Sequence, residues 1–274
     1  MNACPCGTLA SRVILEADSY CPYAQHSEPL DYSLRRCLAC GLVRTDPIPE
    51  DGEHELFADP DFLTNYADRE PLYERFLLPV LAEAQRLRPA PARLVDVGAN
   101  TGTLVRLALE AGYDATGLEL NEAGVSYARG RNLPVEAATL EQAGFEDDSV
   151  DVITMSAVAE HLLSPASTFD ACRAALKPGG VLVTANSPNI RSLAWMTERH
   201  RWYGLQPQGH AWQFTPATLR SSLERHGFRI VAARTFAMER VFGRNRKQLL
   251  KRAAHRTGEA LGFGDAVTLV AVRT

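Results

Sequence analysis

The chain has 274 residues, 46% of them hydrophobic, which is ample for one large domain with a small appendage. A net charge of −4 and a pI near 6.0 provide no global basic field to hold phosphates, which disfavours a bulk nucleic-acid binder. The N-terminus, Met1-Asn2-Ala3-Cys4-Pro5-Cys6, lacks the charged and apolar regions of a secretion signal, and no run of about 18 apolar residues occurs, so a soluble cytoplasmic protein is expected.

Five of the six cysteines fall in the first 40 residues: Cys4, Cys6, Cys21, Cys37 and Cys40. In a reducing compartment such clustering argues for a metal rather than disulfides. Cys37-Leu38-Ala39-Cys40-Gly41 is a C-x-x-C-G knuckle, and Cys4-Pro5-Cys6-Gly7 supplies a second, one residue shorter. Four thiolates from Cys4, Cys6, Cys37 and Cys40 suit a closed, structural Zn²⁺ site. The short knuckle leaves Cys21 or His26 open as a replacement for Cys6, and free thiols or a disulfide are the plainer alternative. Residues 1–46 are read as this module. Cys172, in phase with Phe169, Ala175 and Leu176, is expected in a helix core.

Residues 47–92 connect the module to the rest. Asp46-Pro47-Ile48-Pro49 is a stiff, extended exit. Pro71 can open a helix whose apolar stripe is Leu72, Phe76, Leu77, Val80, Leu81 and Ala84. This segment is either a helix packed on a sheet edge or a lid over a cofactor, with Asn65-Tyr66 as the contact.

From residue 93 onward apolar strands alternate with amphipathic helices. Strands are expected at 93–97, 115–120, 134–137, 150–156 and 180–187, with helices at 103–111, 123–129 and 165–176. A tail of helix 218–226, strand 228–235, helix 247–261 and strand 266–272 follows. This pattern predicts an α/β fold, a Rossmann-like seven-stranded, mostly parallel sheet flanked by helices, over residues 93–274.

The chemistry lies at the strand ends. The first strand runs into Asp96-x-Gly98-x-Asn100-x-Gly102, a glycine-containing turn opening a helix, where backbone N–H groups face a ligand. The second strand ends at Glu119, followed by Leu120; an acid there can accept from two ribose hydroxyls, which fits NAD as well as S-adenosylmethionine. A dinucleotide loop needs G-x-G-x-x-G, but here Asn100 stands where glycine is required and Asp96 heads the turn. An acid facing a pyrophosphate is repulsive. An acid facing a cofactor with an amino group and a sulfonium is sensible.

At these residues the chain resembles class I S-adenosylmethionine-dependent methyltransferases. Val95-Asp96-Val97-Gly98-Ala99-Asn100-Thr101-Gly102 is similar to that family's first motif, with Ala99-Asn100 in place of Cys-Gly. The segments 145–153, Glu160-His161-Leu162-Leu163-Ser164-Pro165 and Leu176-Lys177-Pro178-Gly179-Gly180 resemble its later motifs in order. The resemblance covers about residues 90–274. It implies that Asp96, Gly98, Asn100 and Gly102 hold the methionine portion, that Glu119 holds the ribose, and that the Ala138-Thr139-Leu140 turn lies beside adenine. Tyr66, Leu120 and Ser156 complete the expected cofactor set. With its cysteine knuckles, the chain resembles bacterial methyltransferases of natural-product and surface-polysaccharide pathways and the front of sugar-nucleotide C-methyltransferases. Zinc-headed rRNA guanine methyltransferases are a second likeness, disfavoured by the pI and by the absence of a long Lys/Arg stripe. A cofactor-binding partner subunit without catalysis is the alternative from another class.

Residues 188–214 hold all three tryptophans, Trp195, Trp202 and Trp212, with Tyr203, Phe214, Arg191, Arg199, His200, Arg201 and His210. They are read either as a substrate wall for an anionic or sugar-bearing small molecule or as a plain covering segment. Methyl transfer needs an in-line, dry approach and, for a hydroxyl or carbon acceptor, removal of a proton. His161 and His210 are the candidates for that role; for an amine acceptor they would only bind.

Overall fold

The computed structural model describes residues 4–19, 30–48, 66, 68–237 and 257–274. Cys21, His26, Asn65, and most of the helix expected at 247–261 lie outside them.

The chain opens with three antiparallel strands, β1 (Ser11–Ser19), β2 (Leu30–Cys37) and β3 (Val43–Asp46). Helix α1 (Glu70–Leu87) starts with a proline in its first turn. The alternating part follows: β4 (Arg93–Val97), α2 (Thr103–Glu110), β5 (Asp114–Glu119), α3 (Glu122–Gly130), β6 (Val135–Ala137), β7 (Val150–Ser156), α4 (Pro165–Ala175) and β8 (Leu176–Pro188). A crossing segment contains α5 (Leu193–Glu198), a 3₁₀ turn at Arg199–Arg201 and the short β9 (Trp212–Gln213). The chain closes with α6 (Pro216–Arg225), β10 (Phe228–Phe236) and β11 (Ala266–Arg273).

The large sheet has the order β10-β11-β8-β7-β4-β5-β6. The pairs β5–β6, β4–β5, β4–β7 and β7–β8 are parallel, and β11 runs antiparallel to both β8 and β10. The seven-stranded, mostly parallel Rossmann-like sheet expected from the alternation is therefore present. Strand periodicity divides its core. Leu94, Val152, Val181, Val183 and Val270 pack with the buried face of α1 (Leu77, Val80, Leu81, Ala84) and with Leu104 and Val105 of α2. Val95, Val97, Ile153, Met155 and Leu182 pack with Phe169 and Cys172 of α4 and Leu219 and Leu223 of α6. Helix starts follow local chemistry. Asn121 Oδ1 accepts the Gly124 N–H at 2.9 Å to cap α3, and a Thr215–Thr218 capping box opens α6.

The small sheet has an unexpected fourth member. Its order is β1-β2-β3-β9, with Val43 opposite Gln213 and Arg44 opposite Trp212. The segment between β8 and α6 thus lends a strand to the N-terminal module. Thr45 reinforces the joint, its N–H reaching Ala211 O at 3.0 Å and its hydroxyl reaching His210 O at 2.6 Å. A separate apolar cluster fills the space between them: Tyr32, Leu34 and Val43 of the module against Ile190, Trp195, Trp202 and Leu205.

This arrangement favours the covering reading of residues 188–214 over the substrate wall. Trp195, Trp202 and Trp212 are all buried, as is Phe214. Their rings are packing groups, and no indole face is presented to a substrate. Composition placed them correctly in one segment, but aromatics between cations look alike in a binding wall and in a docking face until their neighbours are known.

Trp202, 1% exposed, is the largest fully buried side chain in that joint. Trp202→Ala is expected to lower stability by about 3–5 kcal/mol, read as a lowered urea midpoint; a loss below about 1 kcal/mol would contradict a load carried by this cluster.

Candidate active site

The site begins where β4 ends. Gly98 and Gly102 adopt φ of +73° and +78°, and Asn100 lies between them at +48°. At Gly98 a side chain is excluded twice, by the positive φ and because a Cβ would sit 2.5 Å from Val158 Cγ2. The Gly98 and Ala99 N–H groups both donate to Leu118 O, at 2.8 and 2.9 Å. Glu119 completes the turn. Its Oε2 accepts the Asn100 N–H at 2.7 Å, and its Oε1 accepts the N–H groups of Leu120 and Asn121, each at 2.8 Å. The first and second strand ends are thus bound together by one half-buried carboxylate.

Asp96 lies just before this turn, 3% exposed, with Oδ1 accepting the Thr154 hydroxyl at 2.7 Å. Burial pushes its carboxyl up to about 7; the nearby Glu119 charge adds to the rise and the Thr154 bond opposes it. Tyr66 sits over the same ground. Its ring stacks on Tyr73 with centroids 3.6 Å apart, and its phenol is pushed up by burial and by the charges of Asp96, Glu119 and Glu70 among others. Arg106 pairs with Glu70 at 3.3 Å, Glu110 at 2.8 Å and Glu74, while Arg131 meets Glu70 at 2.9 Å. These pairs tie the start of α1, and so Tyr66, to α2 and to the end of α3.

The remaining expected positions surround the same sheet edge. Leu120 is exposed, and Thr139 is half-buried in a turn closed on Gln142. Leu140 is buried, its side chain in the core. Ser156 ends β7, and its hydroxyl accepts from Asn186 Nδ2 at 2.7 Å. Asn186 was not among the expected residues. The signal was available only as an Asn-Ser-Pro-Asn run at the end of the fifth strand, and its φ of +60°, like the +55° of Ala157, marks a strained rim.

Beyond Ala157 the chain turns through Val158, which touches Gly98, into Glu160 and His161. Glu160 is buried and its Oε2 accepts the Ser187 hydroxyl at 2.7 Å. His161 is half-buried, and His210 arrives from the crossing segment to meet it edge-on, with ring centroids 4.5 Å apart and an interplanar angle of 86°. Each Nδ1 lies against a carbonyl, His161 on Gly209 O at 3.2 Å and His210 on Gly204 O at 3.0 Å. Burial, with help from His161, holds His210 well below the ordinary imidazole range, so it is neutral. The two histidines singled out in the sequence are therefore one cluster, joined by Glu160.

In the N-terminal module Cys4, Cys6, Cys37 and Cys40 converge, with one ligand atom from each within 4.8 Å of the others. Cys4 Sγ lies 3.4 Å from Cys40 Sγ, and Cys6 Sγ lies 3.6 Å from Cys37 Sγ. Both are far beyond a disulfide bond and close to the roughly 3.8 Å edge of a tetrahedron with Zn–S bonds of about 2.3 Å. The short Cys-Pro-Cys spacing does not keep Cys6 out of the group. Cys172 is fully buried on the core face of α4, as expected.

The parallel sheet, the glycine turn and the acid at the next strand end together define a class I S-adenosylmethionine-dependent methyltransferase fold. The methyltransferase-domain family matches residues 67–233, and the chain belongs to that family. Among curated relatives, the ubiquinone biosynthesis O-methyltransferase of Bordetella avium is 36% identical over 99 residues, 32% of this chain and 39% of that protein. The protein of the same name from Roseobacter denitrificans is 30% identical over 149 residues, 49% of this chain and 59% of that one. The aligned part thus spans about 40 to 60% of the length of these relatives. Solved structures with the same fold include a putative methyltransferase in complex with the Haloferax volcanii Trm112 activator, with TM-score 0.60, 20% identity, and coverage of 80% of this chain and 97% of that one. A Thermotoga maritima protein described as a possible histamine N-methyltransferase gives TM-score 0.56 at 19% identity, over 81% of this chain and 99% of that one. No described helix is long and apolar enough to cross a membrane.

The Asp96 carboxyl ionises at about 7 in the folded chain against 3.8 ordinarily, so the unfolded chain releases this proton first. Its contribution to stability is intact below pH 3.8 and is lost progressively as pH rises to about 7. Asp96→Asn is expected to remove that slope and to raise stability of the ligand-free protein near pH 8 by roughly 2–4 kcal/mol, measured by denaturant midpoints across pH. A slope unchanged by the substitution would assign it to another group.

Proposed function

We propose that this chain transfers a methyl group from S-adenosylmethionine to a small-molecule acceptor, a natural-product or sugar or nucleotide-sugar intermediate. The observation that supports this most is the placing of two unlike sites on one sheet edge: the Asp96–Glu119 turn, and the Glu160–His161–His210 cluster that touches it through Val158. The donor set fits the cofactor, because Asp96 is a buried carboxylate held near neutrality, suited to a cationic partner. When bound, the cofactor supplies a methyl group made electrophilic by a positively charged sulfur.

In this reading Asp96, Gly98, Asn100 and Gly102 hold the methionine portion, Glu119 and Leu120 the ribose, and Thr139 and Leu140 the adenine side. Tyr66 covers the site and excludes water, and Ser156 lines its floor. His161 and His210 activate the acceptor, His161 from the accessible side and His210 from behind it. The names of the curated relatives favour a hydroxyl acceptor. Exposed Arg191, His200 and Arg201, on the segment that carries His210, suit an anionic or sugar-bearing one. Cys4, Cys6, Cys37 and Cys40 hold a structural Zn²⁺ that sets the module against that segment.

Three outcomes are expected. Full-length protein binds S-adenosylmethionine in calorimetry, and Asp96→Ala or Gly98→Val abolishes this while leaving the cysteine-bound metal in place. Metal analysis finds about one zinc per chain; less than about half, with free thiols, overturns the zinc reading. Product formation is found with at least one hydroxyl-bearing member of a panel of phenols and sugar nucleotides. Cofactor binding with no turnover on any member would favour a non-catalytic partner subunit.

A further inference from the structure

The cluster at the acceptor end has the form of a metal site of its own. Glu160, His161 and His210 each offer a ligand atom, and these atoms lie within 4.8 Å of one another. A carbonyl oxygen only accepts hydrogen bonds, so the Nδ1 of His161 against Gly209 O and the Nδ1 of His210 against Gly204 O must both carry the proton. Nε2 of each ring is then the nitrogen placed to offer a lone pair to a cation. This is the arrangement found around ligating histidines, whose outer nitrogen is fixed by a carbonyl or carboxylate so that the inner one can bind a cation. Glu160 is held likewise, its Oε2 fixed by the Ser187 hydroxyl at 2.7 Å. Two fixed imidazoles crossing at 86° and one fixed carboxylate leave little motion to be lost on binding.

We propose that Glu160, His161 and His210 bind a divalent transition-metal ion, distinct from the ion of the cysteine cluster, with open positions directed to the acceptor. Two imidazoles and a carboxylate match zinc and the later first-row divalent metals, and three protein ligands leave room for exogenous ones, unlike the closed four-sulfur set. The class of acceptor follows: a molecule with two neighbouring oxygens able to chelate the ion, one of them the hydroxyl to be methylated. The cation lowers the proton affinity of that hydroxyl, whose proton passes to solvent, so His161 and His210 activate the acceptor as ligands rather than as bases. The three ligands come from two places in the chain. Glu160 and His161 follow β7, and His210 hangs from the segment paired to β3, so the site is complete only when that segment is docked.

The assignment rests on the reading of this edge as the acceptor site, and metal binding is measured apart from turnover. Full-length, tag-free protein carrying its cysteine-bound metal is titrated with Co²⁺. One further equivalent is expected, with visible bands of nitrogen and oxygen ligation and no added thiolate-to-metal charge transfer in the near ultraviolet. His161→Ala and Glu160→Gln should each weaken this binding by about tenfold or more while metal content at the cysteines stays the same. His161→Ala, at a half-buried position, keeps the test open if His210→Ala, at a buried one, fails to fold. An isotherm unchanged in His161→Ala, or cobalt bound only with a thiolate spectrum, overturns the site. Turnover that persists without the second metal removes this inference and leaves the methyl-transfer reading standing; a bound second metal with no turnover on any acceptor does the reverse.

Discussion

The Glu119 carboxylate accepts three backbone N–H groups, one from the turn after β4 and two from the exit of β5. Hydrogen bonds to an ionised acceptor are stronger than neutral ones, and here they fix both the path of Asn100 and the start of α3. The clamp holds Asn100 at its positive φ, while the Gly98 and Ala99 N–H bonds to Leu118 O hold the start of the turn. The buried carboxyl of Asp96 then lies under a turn whose shape is settled, with Thr154 as its anchor on the neighbouring strand.

What the sequence disclosed follows from how local each signal is. Asp96, Gly98, Gly102 and Glu119 are readable because the strand, turn and helix that place them are contiguous, and the same holds for the paired cysteines, brought together by two knuckles. The strands β4 to β8 announce themselves by apolar runs separated by helical stripes. The small sheet does not. Its strands carry Arg35, Arg36 and Arg44 among the apolar residues, and their inner face is completed by Trp195 and Trp202 from more than 150 residues away. No periodicity within β1 to β3 records that partner. The meeting of His161 and His210 is hidden for the same reason, since it depends on where β9 docks.

The tryptophans show the limit from the other side. Three indoles among arginines read naturally as a stacking surface, yet Trp202 is sealed and Arg199 lies over the Trp195 ring at 5.2 Å, a cation on a packing group. The apolar content of the segment serves a joint between two parts of one chain. Its His210, at the inner end, meets His161 instead.

The pairing of β3 with β9 has a mechanical consequence. Cys37 closes β2, β2 pairs with β3, and Thr45 of β3 grips the carbonyls of His210 and Ala211. Sulfur and imidazole are thus joined by a short, rigid linkage across hydrogen-bonded backbone. Oxidation or alkylation of the cysteines would act as a lever on the far end of the sheet edge, displacing a histidine that no thiol touches. The module is in that sense a tensioner for the edge where His161 and His210 meet.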